Sequence, residues 1–157
     1  MRWDLIGHFE TLRPHELGVA EREFTGGEDF FAEHLPGAPR LPEPLLIELV
    51  AQTGGVLYGA GLDFSREVIL AKVEATDFPS PVVPPCRLRV TARLEDEREE
   101  ATWVTGEVTC EGRTVARVRL FLVTFERLGQ GSGIVFNERF MDRYKIRELL
   151  SAGGRHA

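Results

Sequence analysis

The sequence has little of several features that define whole classes of protein. Its 157 residues include two cysteines, Cys86 and Cys110, in strand-like segments without metal-ligand spacing. Buried, reduced thiols are therefore expected rather than a disulfide framework or a zinc site, consistent with a cytoplasmic protein. The longest apolar stretch, 45–60, is interrupted by Glu48 and Gln52, so no membrane span is expected.

The chain also has fewer positive than negative side chains. Lys and Arg total 19 against 25 Asp and Glu, which gives a formal net charge of −6. No basic amphipathic helix offsets this balance, so a nucleic-acid partner is not expected. Residues 1–12 carry charges throughout and lack the apolar core of a signal peptide. An apolar fraction of 43% instead indicates an ordinary globular domain that can bury a core.

Period-two alternation predicts an antiparallel sheet. In 87–94, the side chains of Leu88 and Val90 fall on one face, while Arg87 and Arg89 fall on the other. Strands of this kind, separated by turn residues, are typical of hairpins. The predicted strands are 5–12, 17–24, 68–71, 87–94, 101–110 and 114–125, with turns at 13–16 and 111–112.

A helix is predicted over about 44–58. Pro44 suits its first turn, where a missing N–H costs nothing. Apolar residues cover most of its circumference, which places the helix in the interior. Gly54 and Gly55 each cost about 1 kcal/mol relative to alanine in a helix, so they indicate close packing on a neighbouring sheet. One buried helix followed by antiparallel strands is an α+β arrangement, with the sheet wrapped on the helix.

The end of the chain differs from the rest. Residues 129–133 read as a short linker, and 136–150 as an amphipathic helix. We therefore divide the chain into a domain over 1–128 and a segment over 129–157 that contains the linker and this C-terminal helix. The helix is expected to cap the core or to pack in a dimer, and a separate binding role is the alternative.

Two groups of residues could carry chemistry. Glu48 and Gln52 are four apart, so they lie on one stripe of the buried helix. A buried carboxylate is costly unless it is paired, and two interpretations stay open: an acid/base group, or a polar residue satisfied by nearby backbone. His34 begins a loop that is dense in proline up to Pro44. Because each proline fixes one dihedral angle, this loop is expected to be stiff and extended.

The run 30–52 strongly resembles the signature of the 3-hydroxyacyl-acyl carrier protein dehydratases. In that family, a loop reading F-x-x-H-F-P-x-x-P-x-M-P-G leads into a helix reading L-x-x-E-A-x-A-Q. His34 and Glu48 match the histidine and the acidic residue, fourteen apart, and Gln52 matches the glutamine. The segments 71–78 and 81–84 resemble the family's third strand and its P-V-x-P-G-D turn, so the resemblance covers roughly residues 1–127.

The resemblance implies a hot-dog fold, in which a curved antiparallel sheet surrounds one long helix in a homodimer or a higher assembly of dimers. It implies an acyl thioester substrate, an acyl carrier protein as partner, and no cofactor or metal. The acyl chain would lie in a tunnel at the dimer interface, where His34 of one subunit would face Glu48 of the other. His34 would remove the C2 proton, and Glu48 would protonate the departing 3-hydroxyl through a water.

The same resemblance implies substrate contacts at Gln52, Phe31, Leu41 and Glu43. The backbone N–H of Glu43 would bind the thioester carbonyl at the start of the helix. Glu43 stands where the family has glycine, and the following Pro44 has no N–H to donate. Two alternatives therefore stay open: a hot-dog thioesterase that uses Glu48 to activate water, and a non-catalytic subunit that binds acyl carrier protein.

Five arginines fall on outward faces of the predicted strands. They are either a landing patch for an acidic carrier protein or for coenzyme A phosphates, or a solvated face balanced by the acidic run 95–100. The arginines are Arg87, Arg89, Arg93, Arg117 and Arg119.

Overall fold

The structure, a computed structural model, describes residues 5–126 and 135–153. The boundary at 128 and the predicted linker 129–133 lie outside the described residues. Six strands and four helices follow one another in the described ranges. They are β1 His8–Arg13, β2 Leu17–Phe24, α1 Asp29–His34, α2 Glu43–Gly61, β3 Arg66–Asp77, β4 Cys86–Glu95, β5 Ala101–Cys110, β6 Arg113–Glu126, α3 Glu138–Arg143 and α4 Ile146–Gly153.

The six strands form one sheet in the order β1-β2-β4-β5-β6-β3, with every neighbouring pair antiparallel. Both predicted turns are confirmed. Glu16 N–H donates to the Arg13 carbonyl at 3.0 Å, and the β5–β6 hairpin turns through Glu111 and Gly112, with φ of 51° and 78°. Positive φ at both central residues gives the turn a twist that matches the flanking strands.

Helix α2 lies against this sheet and forms the core with it. It contacts every strand from β2 to β6, and twelve of its residues are buried. A Cβ added to Gly54 would lie 2.7 Å from Val104 Cγ1 on β5, so the predicted close approach is confirmed there. The α+β arrangement expected of a hot-dog fold is thus present. No helix within the described ranges is long and apolar enough to cross a membrane.

The segment between β2 and α2 differs from expectation in two ways. Residues 29–34 form the short helix α1, which the sequence analysis did not predict, and His34 is its last residue. The proline-rich loop is not extended throughout, because Ala38 N–H donates to the Leu35 carbonyl at 3.0 Å and Gly37 has a φ of 80°. A proline followed by glycine favours such a turn. Only after this turn does the loop run into α2.

Strand β3 is longer than predicted. It covers twelve residues rather than four, and it pairs with β6 along its whole length. Its other edge has no strand beside it among the described residues. The side chains over 69–77 are all exposed. Alternation of apolar and polar residues did not predict the full length of β3, because neither face of this part of the strand is buried in one chain.

The C-terminal segment is two helices rather than the single helix predicted. The break falls at Lys145, whose φ is 51°. Tyr144 and Ile146 are buried, and the Tyr144 hydroxyl donates to the Ile6 carbonyl at 3.2 Å. At the other end, Val135 N–H donates to Glu67 Oε2 at 3.2 Å, on β3. The segment therefore reaches from one edge of the sheet to the other, as the core-capping interpretation expected.

Four of the five outward arginines form ion pairs with acidic side chains, mainly from neighbouring strands rather than from 95–100. The ion pairs are Arg87–Glu23, Arg89–Glu10, Arg89–Glu21, Arg117–Asp77, Arg117–Glu107, Arg119–Glu74 and Arg119–Glu95.

Both cysteines are free, as predicted. Cys86 is buried as expected, whereas Cys110 is only half-buried.

Candidate active site

A turn at 25–28 fixes the start of α1, the helix that carries His34. The Glu28 carboxylate accepts hydrogen bonds from the N–H groups of Thr25 and Gly26, at 3.1 and 2.9 Å. Desolvation opposes ionisation of this carboxyl, but the N–H donors outweigh it and hold the pKa of Glu28 below its ordinary value. The first turn of α1 is closed by Phe31 N–H, which donates to the Glu28 carbonyl.

Four of the six predicted site residues lie on the segment that leads into α2. His34 is exposed at the end of α1. The Phe31 side chain is buried and packs against the Phe24 and Phe30 rings, with centroid separations of 6.0 and 4.8 Å. Leu41 is buried, with its N–H donating to the Val82 carbonyl at 2.8 Å. Glu43 is the half-buried first residue of α2.

The other two predicted residues are in direct contact. Gln52 Nε2 donates to Glu48 Oε1 at 2.9 Å, one helical turn away. The amide is oriented in turn by the backbone, because Leu5 N–H donates to Gln52 Oε1 at 3.1 Å. The half-buried carboxylate is therefore held by a side-chain amide, which is itself held by the N-terminal segment. Direct satisfaction of Glu48 by backbone, the alternative left open by the sequence, is not what the structure shows.

Glu48 and Gln52 face a largely apolar cavity of about 460 Å³. Its α2 wall follows the spacing i, i+3, i+4, i+7, i+8 from Glu48, which is one face of a helix. The volume lies in the range of small-molecule sites, which is about 300–1,000 Å³. The remaining lining residues are Ile6, Phe9, Val68, Ile69, Leu70, Leu122, Val135, Phe136, Phe140 and Tyr144.

The structure thus brings Glu48 and Gln52 together at the cavity and leaves the other predicted residues outside its lining. Within the part of one chain that is described, His34 makes no hydrogen bond or ion pair with Glu48. No cluster of three potential metal ligands occurs in residues 5–126 and 135–153. A carboxylate at an apolar cavity, with its orientation fixed by an amide, can exchange a proton with a polar group of a molecule whose apolar part occupies the cavity.

Three aromatic residues of the C-terminal segment also line this cavity, which their pattern in the sequence did not predict. Phe136, Phe140 and Tyr144 are spaced by four, so they lie on one side of a helical segment and were expected to be its apolar face. Spacing alone does not reveal which part of the core such a face covers. The structure places it at the cavity, with Phe136 packed on α2.

Residues 7–119 match the family model of the FabA-like domain. The 3-hydroxyacyl-[acyl-carrier-protein] dehydratase FabZ of Roseiflexus castenholzii is 33% identical over 126 residues, covering 78% of this chain and 87% of that protein. The bifunctional enzyme LpxC/FabZ of Chlorobaculum tepidum is 32% identical over 122 residues, and the matched part is 26% of its length.

Solved structures of other proteins show the same fold. The dehydratase heterocomplex ApeI:P from Xenorhabdus doucetiae superposes with a TM-score of 0.67 at 18% identity, covering 80% of this chain and 85% of that one. A hypothetical thioesterase with coenzyme A from Streptococcus pneumoniae gives a TM-score of 0.59 at 9% identity, covering 78% and 88%. At such identities the likeness concerns the fold, which is the expected hot-dog fold.

Proposed function

Because the chain belongs to the FabA-like family and is a dehydratase, we propose that it converts 3-hydroxyacyl thioesters to trans-2-enoyl thioesters. The reaction breaks the C2–H and C3–OH bonds, forms the C2=C3 double bond and releases water. Acyl carrier protein is the proposed carrier of the acyl group, as the names of the curated relatives state for those proteins. The cytoplasm is the proposed location, in keeping with two free cysteines.

The observation that carries the proposal is the carboxylate at the apolar cavity. Gln52 orients the Glu48 carboxylate by donating a hydrogen bond of 2.9 Å to it. The carboxylate lies beside a cavity that an acyl chain can occupy. Glu48 delivers a proton to the departing 3-hydroxyl, directly or through a water, while His34 accepts the proton from C2. Acid–base pairs of this kind contribute about 10²–10⁴-fold each to a reaction rate.

The thioester carbonyl is proposed to lie at the N-terminus of α2. Glu43 is the first residue of this 19-residue helix, so its N–H has no acceptor within the helix. This N–H and the positive end of the helix dipole would stabilise the thioester oxygen as it gains negative charge when C2 loses its proton. Pro44 offers no second donor, so this stabilisation is expected to come from one N–H of the helix.

The histidine is proposed to come from a second subunit of a homodimer. His34 is exposed and lines none of the cavity, whereas Glu48 lies at it, so a single chain does not complete the pair. Strand β3 supports the dimer, because one of its edges has no strand beside it in the described part of the chain. Such an edge, with Ile69, Leu70 and Val73 exposed, is a template for pairing with another chain.

The experiment follows enoyl absorbance and free thiol together while the purified protein is incubated with 3-hydroxyacyl thioesters. We expect enoyl product without thiol release, and a loss of about 100-fold or more in both His34→Ala and Glu48→Gln. His8→Ala, an exposed histidine on β1, is the matched control and should retain activity. Thiol release without enoyl product would make the protein a thioesterase, and neither product would make it a non-catalytic binding subunit.

A mixed assembly tests the shared site. His34→Ala and Glu48→Gln subunits, each inactive alone, are coexpressed so that dimers form at random. A two-fold dimer with shared sites regains one intact His34–Glu48 pair in each mixed dimer, so activity should return to about a quarter of the wild-type level. If both residues act within one chain, every mixed dimer stays inactive, which would refute the shared site but not the reaction.

A further inference from the structure

One wall of the cavity comes from a part of the chain that the family match does not include. The FabA-like match ends at residue 119, whereas Phe136, Phe140 and Tyr144 lie in the C-terminal segment beyond it. These three rings stack in series, with centroids 5.5 Å apart for the first pair and 5.0 Å for the second. The cavity is therefore bounded by residues outside the matched domain as well as by residues within it.

The aromatic wall is anchored at both ends. The Phe136 ring packs on the Phe64 ring at 5.0 Å, and a Cβ on Gly59 would lie 2.9 Å from it, so α2 and the ring are in tight contact. The Tyr144 ring packs edge-on against Phe9 at 5.5 Å. Together with the hydrogen bond from the Tyr144 hydroxyl to the Ile6 carbonyl, just before β1, these contacts give the wall a defined position.

Of the three rings, Phe140 is the one whose substitution should change the size of the cavity without removing either anchor. It is half-buried and lies between the other two rings, and its backbone N–H is already satisfied by Asn137 Oδ1 at 3.0 Å. Its ring therefore contributes surface to the cavity without carrying either anchor. An acyl chain whose 3-hydroxyl lies at Glu48 would extend along an apolar space that this ring helps to line.

We propose that the C-terminal helices act as a chain-length gauge, in which the Phe140 ring limits the acyl chains that the cavity accepts. This inference rests on the proposed dehydratase function and concerns its substrate range. Each methylene that fits or clashes in an apolar pocket changes selectivity by about 10–200-fold, so one ring is enough to set a preference.

The test compares kcat/KM for a homologous series of saturated 3-hydroxyacyl thioesters on the full chain. Phe140→Ala is expected to shift the preference towards longer chains by about tenfold or more, and Phe140→Trp to shift it towards shorter chains. Met141→Ala is the matched control, because Met141 is half-buried on the same helix and does not line the cavity. Its profile should follow the wild type.

Opposite shifts for the two Phe140 variants support the gauge, since a loosened segment would impair both variants in the same direction. Equal loss for all chain lengths in both variants, or profiles that match the wild type, would overturn it. These outcomes are distinct from failure of the proposed function, in which the wild type forms no enoyl product from any member of the series.

Discussion

Cys86 shows how burial changes a single residue of this protein. It is 6% exposed at the start of β4. Desolvation, reinforced by the nearby Cys110 thiol, raises the pKa of Cys86 from its ordinary 9.0 to about 11. A neutral thiol of this kind is a poor nucleophile, so Cys86 is expected to pack in the core and to take no part in catalysis.

We predict that Cys86 makes the protein less stable at alkaline pH. Between pH 9 and 11 the thiol ionises in the unfolded chain but stays protonated in the folded one. The unfolded state then binds fewer protons, so the free energy of unfolding falls as pH rises, with a limiting slope of about 1.4 kcal/mol per pH unit. Urea titrations across this range should show that Cys86→Ala loses this part of the slope.

The same titrations on Cys110→Ala serve as the control for removing a thiol from the neighbouring strand. The prediction fails if wild type and Cys86→Ala lose stability in parallel between pH 9 and 11.

At the scale of elements, the contact between α2 and β5 depends on the absence of side chains. A Cβ at Gly106 would lie 2.3 Å from Val50 Cγ1 and 2.9 Å from Cγ2. Val50 is β-branched and fully buried, so it has little rotamer freedom with which to move aside. The helix and the strand can reach this separation only with glycine at position 106.

We predict that Gly106→Ala lowers the free energy of unfolding by about 1–3 kcal/mol, the usual cost of overpacking a core. Chemical denaturation measures this directly. Gly27→Ala is the matched control, because its added Cβ would meet Thr25 Oγ1 at an ordinary 3.6 Å. In a Val50→Ala background the cost of Gly106→Ala should largely vanish, and equal costs in both backgrounds would rule out the proposed contact.

Elements with a strong local signal were predictable from the sequence. Helix α2 is apolar nearly all round and β4 alternates, so both were found within a few residues of their observed bounds. Helix α1 was missed because six residues give too short a pattern. The break at Lys145 was missed because a positive φ there is fixed by tertiary packing rather than by a glycine.

At the scale of the whole molecule, the candidate site was predictable in part. Helical spacing predicts that Glu48 and Gln52 lie on the same side of α2, and the hydrogen bond between their side chains agrees with this. The aromatic wall was not predictable, because residues 136–144 meet α2 only through the folding back of the chain end. The described residues of one chain do not bring His34 to Glu48, so their pairing stays a prediction about the assembly.

That assembly predicts a sharp dependence of activity on the free edge of β3. Val73 is 40% exposed in the middle of this edge and lines none of the cavity. In a two-fold dimer every substitution occurs on both sides of the interface, so Val73→Lys places two ammonium groups there. Desolvating them costs several kcal/mol, which weakens dimerisation by about 100-fold or more, since 1.4 kcal/mol corresponds to a factor of ten.

Sedimentation or light scattering should therefore show dissociation of Val73→Lys at concentrations where the wild type is dimeric. Dehydratase activity should fall with the dimer and recover as the protein concentration rises, because the shared site reforms. Val83→Lys, at an apolar residue that is 56% exposed away from β3, is the control and should remain dimeric. A Val73→Lys protein that is monomeric yet fully active would show that each chain holds a complete site.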